Sequence, residues 1–277
     1  MDIKSVQISG GEMRYLEFGR GERRLVILPG LSLRSVLLSA PAIASGYALF
    51  REDYTVTLFD RRTVVEDGYR IDDMVGDTAE AMCALGIGAA DMIGVSQGGM
   101  IAMLLAARKP ELVHKLVLCS TAADVNPCLR ERLDQWRDLA DAGDVRALNR
   151  ALYQAIFSPA YYEKYRDAFR LLEGEGSAEE MAQFRILVRS FDGFDAKPEL
   201  GMIRCPVYVI GAADDGVLTA DASREIADRC SNAELYIYEG YGHAVYDEAP
   251  DYRTRMLEFL RRDEGRDEGN AGRNAAF

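Results

Sequence analysis

Short runs of β-branched or apolar residues alternate with longer segments whose apolar positions recur at helical spacing. That alternation predicts an α/β fold, a mostly parallel sheet of about eight strands with helices on both faces. Ser5 to Ser9 and Arg14 to Phe18 read as two early strands around the turn Gly10-Gly11. Leu25 to Leu28 is a buried central strand ended by Pro29-Gly30, and Thr55 to Phe59 is another. Asp91 to Val95, Lys115 to Cys119, Val207 to Ile210 and Leu235 to Tyr238 complete the set. Between them, helices are expected over Ile71 to Leu85, Gln97 to Arg108, Ala220 to Arg229 and Asp251 to Arg262. Gly86 and Lys109-Pro110 supply the stops for the first two, since glycine and proline end helices readily.

From about Ala123 to Glu199 the alternation breaks, and no segment there has strand character. Leu129 to Asp141, Val145 to Phe157 and Ala178 to Ser190 have helical patterns, punctuated by Pro127, Gly143, Pro159, Gly174 and Gly176. The predicted organisation is a core over 1–122 and 200–262 with a helical cap inserted at 123–199. Cap aromatics such as Trp136, Tyr153, Phe157 and Phe169 are expected mainly to pack, a minority facing a pocket. The segment 263–277 is polar and without apolar periodicity, and disorder is expected there.

Composition adds exclusions. With 48% hydrophobic and 28% charged residues the chain reads as an ordinary globular protein. No apolar run approaches the roughly 18 residues that cross a bilayer. Met1-Asp2-Ile3-Lys4 lacks the basic and apolar regions of a secretory signal, so a cytoplasmic location is expected. A net charge of −12 argues against nucleic acid as a partner and mildly against a polyanionic substrate. The five cysteines are widely spaced and form no Cys-x-x-Cys, which suggests neither a disulfide framework nor a zinc site. Only His114 and His243 are available as imidazole bases.

Four features carry chemistry. Gly94-Val95-Ser96-Gln97-Gly98 follows an apolar strand and opens a helix. In that setting Gly-x-Ser-x-Gly forms a nucleophile elbow, a sharp turn that lifts the serine hydroxyl clear of the sheet. Small residues two before and two after the serine prevent strand and helix from colliding. Tyr241-Gly242-His243 follows the last strand, where an imidazole can meet both a serine hydroxyl and a carboxylate. His114 enters a strand and is read as structural. Gly211-Ala212-Ala213-Asp214-Asp215 ends another strand and offers the orienting carboxylate, without separating the two aspartates. Asp124 is a more distant candidate. Finally, the loop Leu28-Pro29-Gly30-Leu31 is where a second oxyanion donor should lie, the N–H of Leu31 pairing with that of Gln97.

Together these residues resemble the α/β-hydrolase superfamily in its capped, cofactor-free serine hydrolase branch. The order Ser96, Asp214, His243 is similar to that family's nucleophile, acid, base order. Gly211-x-x-Asp214 resembles its acid-bearing turn, and this spacing selects Asp214 over Asp215. Gly242-His243 with Glu248-x-Pro250 resembles its histidine loop. The likeness spans Val6 to Leu260 and is loosest in the cap. Pro29-Gly30 stands where members commonly have His-Gly, but a backbone amide can still serve there. Asp60-Arg61-Arg62-Thr63-Val64 lacks the family's glycine-rich run, so this loop is expected to differ in shape. A serine nucleophile argues against the haloalkane dehalogenase and epoxide hydrolase branches, which use aspartate.

The resemblance implies two-step acyl transfer on a small, fairly apolar carboxylic ester, thioester or lactone, with no metal or organic cofactor. Carbon–carbon hydrolysis or perhydrolysis on the same fold is an alternative. A non-catalytic or slow-turnover ligand-binding protein is an alternative of another class. An unrelated nucleotide-binding fold would need a Gly-x-Gly-x-x-Gly after an early strand, and the sequence has none there. Oligomeric state is not legible.

Overall fold

The computed structural model describes residues 2–262. The predicted disorder over 263–277 therefore concerns residues outside those described. Eight strands form one sheet: β1 (Ile3–Ile8), β2 (Gly11–Gly19), β3 (Arg23–Leu28), β4 (Tyr54–Arg62), β5 (Ala90–Val95), β6 (Val113–Cys119), β7 (Val207–Ala212) and β8 (Ala233–Tyr238). Their spatial order is β1-β2-β4-β3-β5-β6-β7-β8. The β1–β2 and β2–β4 pairs are antiparallel, and every later pair is parallel. All eight strands lie where the hydrophobic runs put them.

The α-helices are α1 (Ala40–Gly46), α2 (Ile71–Ala84), α3 (Gln97–Arg108), α4 (Pro127–Asp141), α5 (Val145–Ile156) and α6 (Pro159–Lys164). They continue with α7 (Arg166–Leu172), α8 (Ala178–Leu187), α9 (Ala220–Arg229), α10 (Val245–Glu248) and α11 (Tyr252–Arg261). The helices α1, α6, α7 and α10 carry too few turns to leave a readable periodicity, and only the longer ones were legible.

Alternate strand residues serve opposite faces, as pleating requires. Val26, Leu28, Met92 and Leu116 join the core beneath α2, α3 and α9. Leu25, Ile27, Ile93 and Val117 join the core on the other face, with α1 and α11. Burial on both faces explains why the central strands read as unbroken apolar runs. The helix α3 is buried along Gln97 to Ala107, which is why its pattern is apolar almost all round. Helices α4 to α8 fall between β6 and β7, and Leu129, Leu133 and Trp136 of α4 pack into the same core as α3.

Register sets the site. Leu28 pairs with Gly94, Val95 with Cys119, Cys119 with Ile210, and Ala212 with Tyr238. The C-terminal ends of β3, β5, β6, β7 and β8 are thus aligned, and the loops leaving them share one rim. Ligand sites in open parallel sheets form at this edge.

Candidate active site

Ser96 joins β5 to α3 with φ 53° and ψ −121°. A non-glycine residue held at positive φ costs on the order of 1–3 kcal/mol and persists only where the surroundings enforce it. Here its N–H donates to the Cys119 carbonyl at 2.9 Å, and its own carbonyl accepts from Gly99 N–H at 2.9 Å. The Thr121 hydroxyl donates to that carbonyl as well, at 2.7 Å.

The flanking glycines are steric necessities. A Cβ on Gly94 would stand 2.6 Å from the Gly98 carbonyl oxygen, and one on Gly98 would stand 2.1 Å from that of Leu28. Gly98→Ala should therefore destabilise the fold by about 1–3 kcal/mol, because the obstruction is backbone that must move. Urea unfolding should show a lower midpoint at an unchanged slope. A wild-type midpoint would mean that α3 and β3 have slack that this packing denies.

His243 is buried, and its Nδ1 lies 2.8 Å from Oδ2 of Asp215. The expectation for Asp214 is corrected by this geometry. Asp214 is exposed, and its N–H donates to the Tyr241 carbonyl at 3.1 Å. The carboxylate that faces the imidazole belongs to the next residue along, Asp215. Asp215 is 7% exposed, and its Oδ1 accepts the N–H groups of Val217 at 2.8 Å and Leu218 at 2.9 Å. Burial by itself would push this carboxyl up. The charge and hydrogen bond of His243, with the two N–H donors, outweigh burial and hold it below the ordinary carboxylate range.

The other two candidates sit elsewhere. Asp124 pairs with Lys197 at 2.9 Å. His114 lies 2.7 Å from Asp91, whose carboxylate also accepts from Tyr54 at 2.7 Å, at the opposite end of β5 from Ser96.

Ser96 and His243 line one small cavity of about 40 Å³ with Gly30, Leu31 and Met100. The helical insertion closes it with Leu129, Trp136, Leu152, Ile156 and Phe191. Gly30 is pressed against the serine, since a Cβ there would be 3.1 Å from that of Ser96. This brings the Pro29-Gly30-Leu31 turn beside the hydroxyl. Gln97 is the first residue of α3, where backbone N–H groups have no partner within the helix. Its side chain is engaged elsewhere, donating to Ser190 Oγ at 3.0 Å.

The family model for the alpha/beta hydrolase fold matches residues 23–250. The chain belongs to the α/β-hydrolase fold family. Among curated relatives of this hydrolase, a protein named as carbamate hydrolase RutD, from Caulobacter sp. (strain K31), is 28% identical over 250 residues, covering 84% of this chain and 92% of the relative. The 2-hydroxy-6-oxononadienedioate/2-hydroxy-6-oxononatrienedioate hydrolase of Burkholderia vietnamiensis (strain G4 / LMG 22486) is 28% identical, with 91% and 93% covered. The solved enol-lactonase of Burkholderia xenovorans LB400 superposes with a TM-score of 0.82 at 22% identity, covering 94% and 100% of the two chains. That last likeness speaks for the fold alone.

Several residues of this α/β hydrolase carry the site without a motif that announces them. Ser120, at φ 43°, donates its hydroxyl to the His243 carbonyl at 2.8 Å. With Thr121 on the Ser96 carbonyl, the end of β6 holds the backbone of both residues. The Ala244 N–H donates to the Ile156 carbonyl at 2.8 Å, tying the histidine loop to α5. The expected loop at Asp60-Arg61-Arg62 is instead the C-terminal end of β4, and it anchors the segment that follows β3. Asp60 accepts from the Ser35 hydroxyl, and Arg61 donates to the Ser32 carbonyl at 3.0 Å. The Arg61 side chain thus ties the end of β4 to the loop after β3. These contacts join segments distant in sequence, and only the absence of glycines at 61–64 hinted at any of them.

No helix among the described residues is long and apolar enough to cross a membrane.

Proposed function

We propose that this protein is a serine hydrolase working by acyl transfer on small, neutral carboxylic esters or related thioesters and lactones. The observation that carries the reading is the buried His243–Asp215 pair opening onto the same cavity as the strained Ser96. With Nδ1 hydrogen-bonded to the carboxylate, the imidazole keeps Nε2 as its proton acceptor. Ser96 Oγ attacks the carbonyl carbon as His243 takes its proton. The oxygen of the tetrahedral intermediate is held by the N–H groups of Leu31 and Gln97. His243 then protonates the leaving group, the carbon–leaving-group bond breaks, and water repeats the cycle on the acyl-enzyme.

Two observations support a neutral, small substrate. The cavity is narrow, and the described residues lining it include no lysine or arginine. A dicarboxylate such as the one in the name of the Burkholderia vietnamiensis relative would find no counter-charge in that lining.

A fluorophosphonate probe tests the chemistry directly. One probe should attach per chain, mass spectrometry should locate it on Ser96, and Ser96→Ala should abolish labelling. Unlabelled protein, or label elsewhere, rejects Ser96 as nucleophile and favours a ligand-binding role on the same fold.

A further inference from the structure

Resting on that reading of the site, we infer that Arg61 is a positioning residue for the oxyanion. It fixes the backbone of Ser32 so that the N–H of the preceding residue, Leu31, faces the reacting carbonyl oxygen. A second cavity, of about 30 Å³, is lined by Pro29, Gly30 and Gln97 together with Asp60 and Arg61. Gly30 also lines the cavity of Ser96 and His243, as Leu31 does. The Pro29-Gly30-Leu31 turn therefore has the nucleophile on one side and the end of β4 on the other. Before Leu31, Gly30 is held against the serine, since a Cβ on it would be 3.1 Å from that of Ser96. After Leu31, Arg61 Nη1 donates to the Ser32 carbonyl at 3.0 Å, and Nη2 donates to the Ser32 hydroxyl. That hydroxyl donates in turn to the Arg34 carbonyl at 2.7 Å. Leu31 is thus fixed through both of its neighbours, and among the described residues its own N–H has no acceptor.

Two features distinguish this tie from ordinary loop packing. The Ser35 hydroxyl already donates to Asp60, so the loop after β3 is joined to β4 without Arg61. What Arg61 adds acts on the residue beside the oxyanion donor. The second feature is the charge. The Arg61 side chain is 16% exposed, and its Nε is 3.7 Å from the Asp60 carboxylate. Burial pulls this guanidinium below the usual arginine range, and Asp60 only partly opposes that. Burying a cation against neutral acceptors costs free energy, and a neutral side chain would join the two segments with a smaller penalty. A guanidinium, however, presents its donors in a rigid planar fork, and two of them on one serine leave that residue little freedom to rotate. An oxyanion donor needs such rigidity, because a displacement of about 1 Å can cost about 10²-fold in rate.

Arg61→Met keeps an unbranched stem and removes every donor, whereas Arg61→Lys keeps the charge but has no fork. On 4-nitrophenyl acetate, kcat should fall about 10²-fold in Arg61→Met and about tenfold in Arg61→Lys. KM should stay within about twofold, the mark of an interaction made in the transition state. Inhibition by 1,1,1-trifluoroacetone reads the oxyanion site without turnover. Its carbonyl carbon bonds to Ser96 Oγ, the hydroxyl proton passes to His243, and the carbonyl oxygen becomes an anion at the Leu31 and Gln97 amides. Its Ki should rise by the same factors as kcat falls. Ser35→Ala, which cuts the other tie of the same loop, should stay within about threefold of wild type in both kcat and Ki. Circular dichroism identifies folded variants, and Arg61→Lys carries the comparison if Arg61→Met does not fold. A wild-type Ki in the Arg61 variants, whatever their kcat, overturns the assignment. So does an equal loss in Ser35→Ala, or unfolding of both Arg61 variants, since either shows that Arg61 only holds the loop down. Failure of the acyl-transfer reading would appear separately, in unsubstituted enzyme that trifluoroacetone does not inhibit and the phosphonate does not label.

Discussion

Asp215→Asn should lower kcat by about 10⁴-fold, while Asp214→Asn should leave it within about threefold. The size of the first effect follows from which way an amide would face. Oδ1 of Asp215 accepts two backbone N–H groups, from Val217 and Leu218, so the asparagine oxygen must stay there. Its NH₂ is then presented to His243 Nδ1, where the carboxylate oxygen lay at 2.8 Å. A donor at that position forces the proton onto Nε2, and an imidazole protonated there cannot take one from Ser96. Asparagine is isosteric and keeps both backbone contacts, so circular dichroism and the thermal midpoint should stay near wild type. Asp214 is exposed and contributes only a backbone hydrogen bond, which asparagine retains. Steady-state kinetics on a chromogenic acetate separates the two. A 10⁴-fold loss in Asp214→Asn with an active Asp215→Asn would reverse the assignment.

Ser96→Ala should cost more, about 10⁶-fold in kcat, and His243→Ala should cost a similar amount. The double variant should be scarcely worse than either single one, because the hydroxyl and the imidazole transfer one proton between them and neither acts without the other. What remains, roughly 10³–10⁴ above the reaction in water, belongs to the amides of Leu31 and Gln97 and to binding in the cavity. Alanine at 96 has a second consequence. Positive φ is unfavourable for alanine as well, so the strain in the elbow persists when the hydroxyl is lost. Stability should accordingly stay close to wild type while activity disappears. Losses from the single variants that multiply in the double variant would show two independent contributions and remove the serine–imidazole couple from the mechanism.

Of the fold, the strands were the most legible part. A run such as Leu25 to Leu28 is apolar because both sheet faces are covered, and the run itself records that burial. The elbow was legible for a related reason: Gly94 and Gly98 are needed where backbone meets backbone, and a steric demand of that kind leaves a fixed spacing in the chain. Short helices such as α1 and α6 left no such record, because one or two turns show too few apolar positions to define a period.

The sequence by itself determined the strand order along the chain, the serine at the strand-to-helix turn and the histidine on the last loop. Each of these is dictated by local backbone chemistry or by burial of consecutive residues. Tertiary structure alone decided which of two adjacent aspartates meets the imidazole, since neighbouring side chains in a turn point in different directions and a shift of one residue exchanges them. It also decided that Ser120 and Thr121 hold the backbone of His243 and Ser96, and that Arg61 ties β4 to the loop after β3. Those facts depend on distances between segments up to about a hundred residues apart or more, and no local pattern encodes a distance.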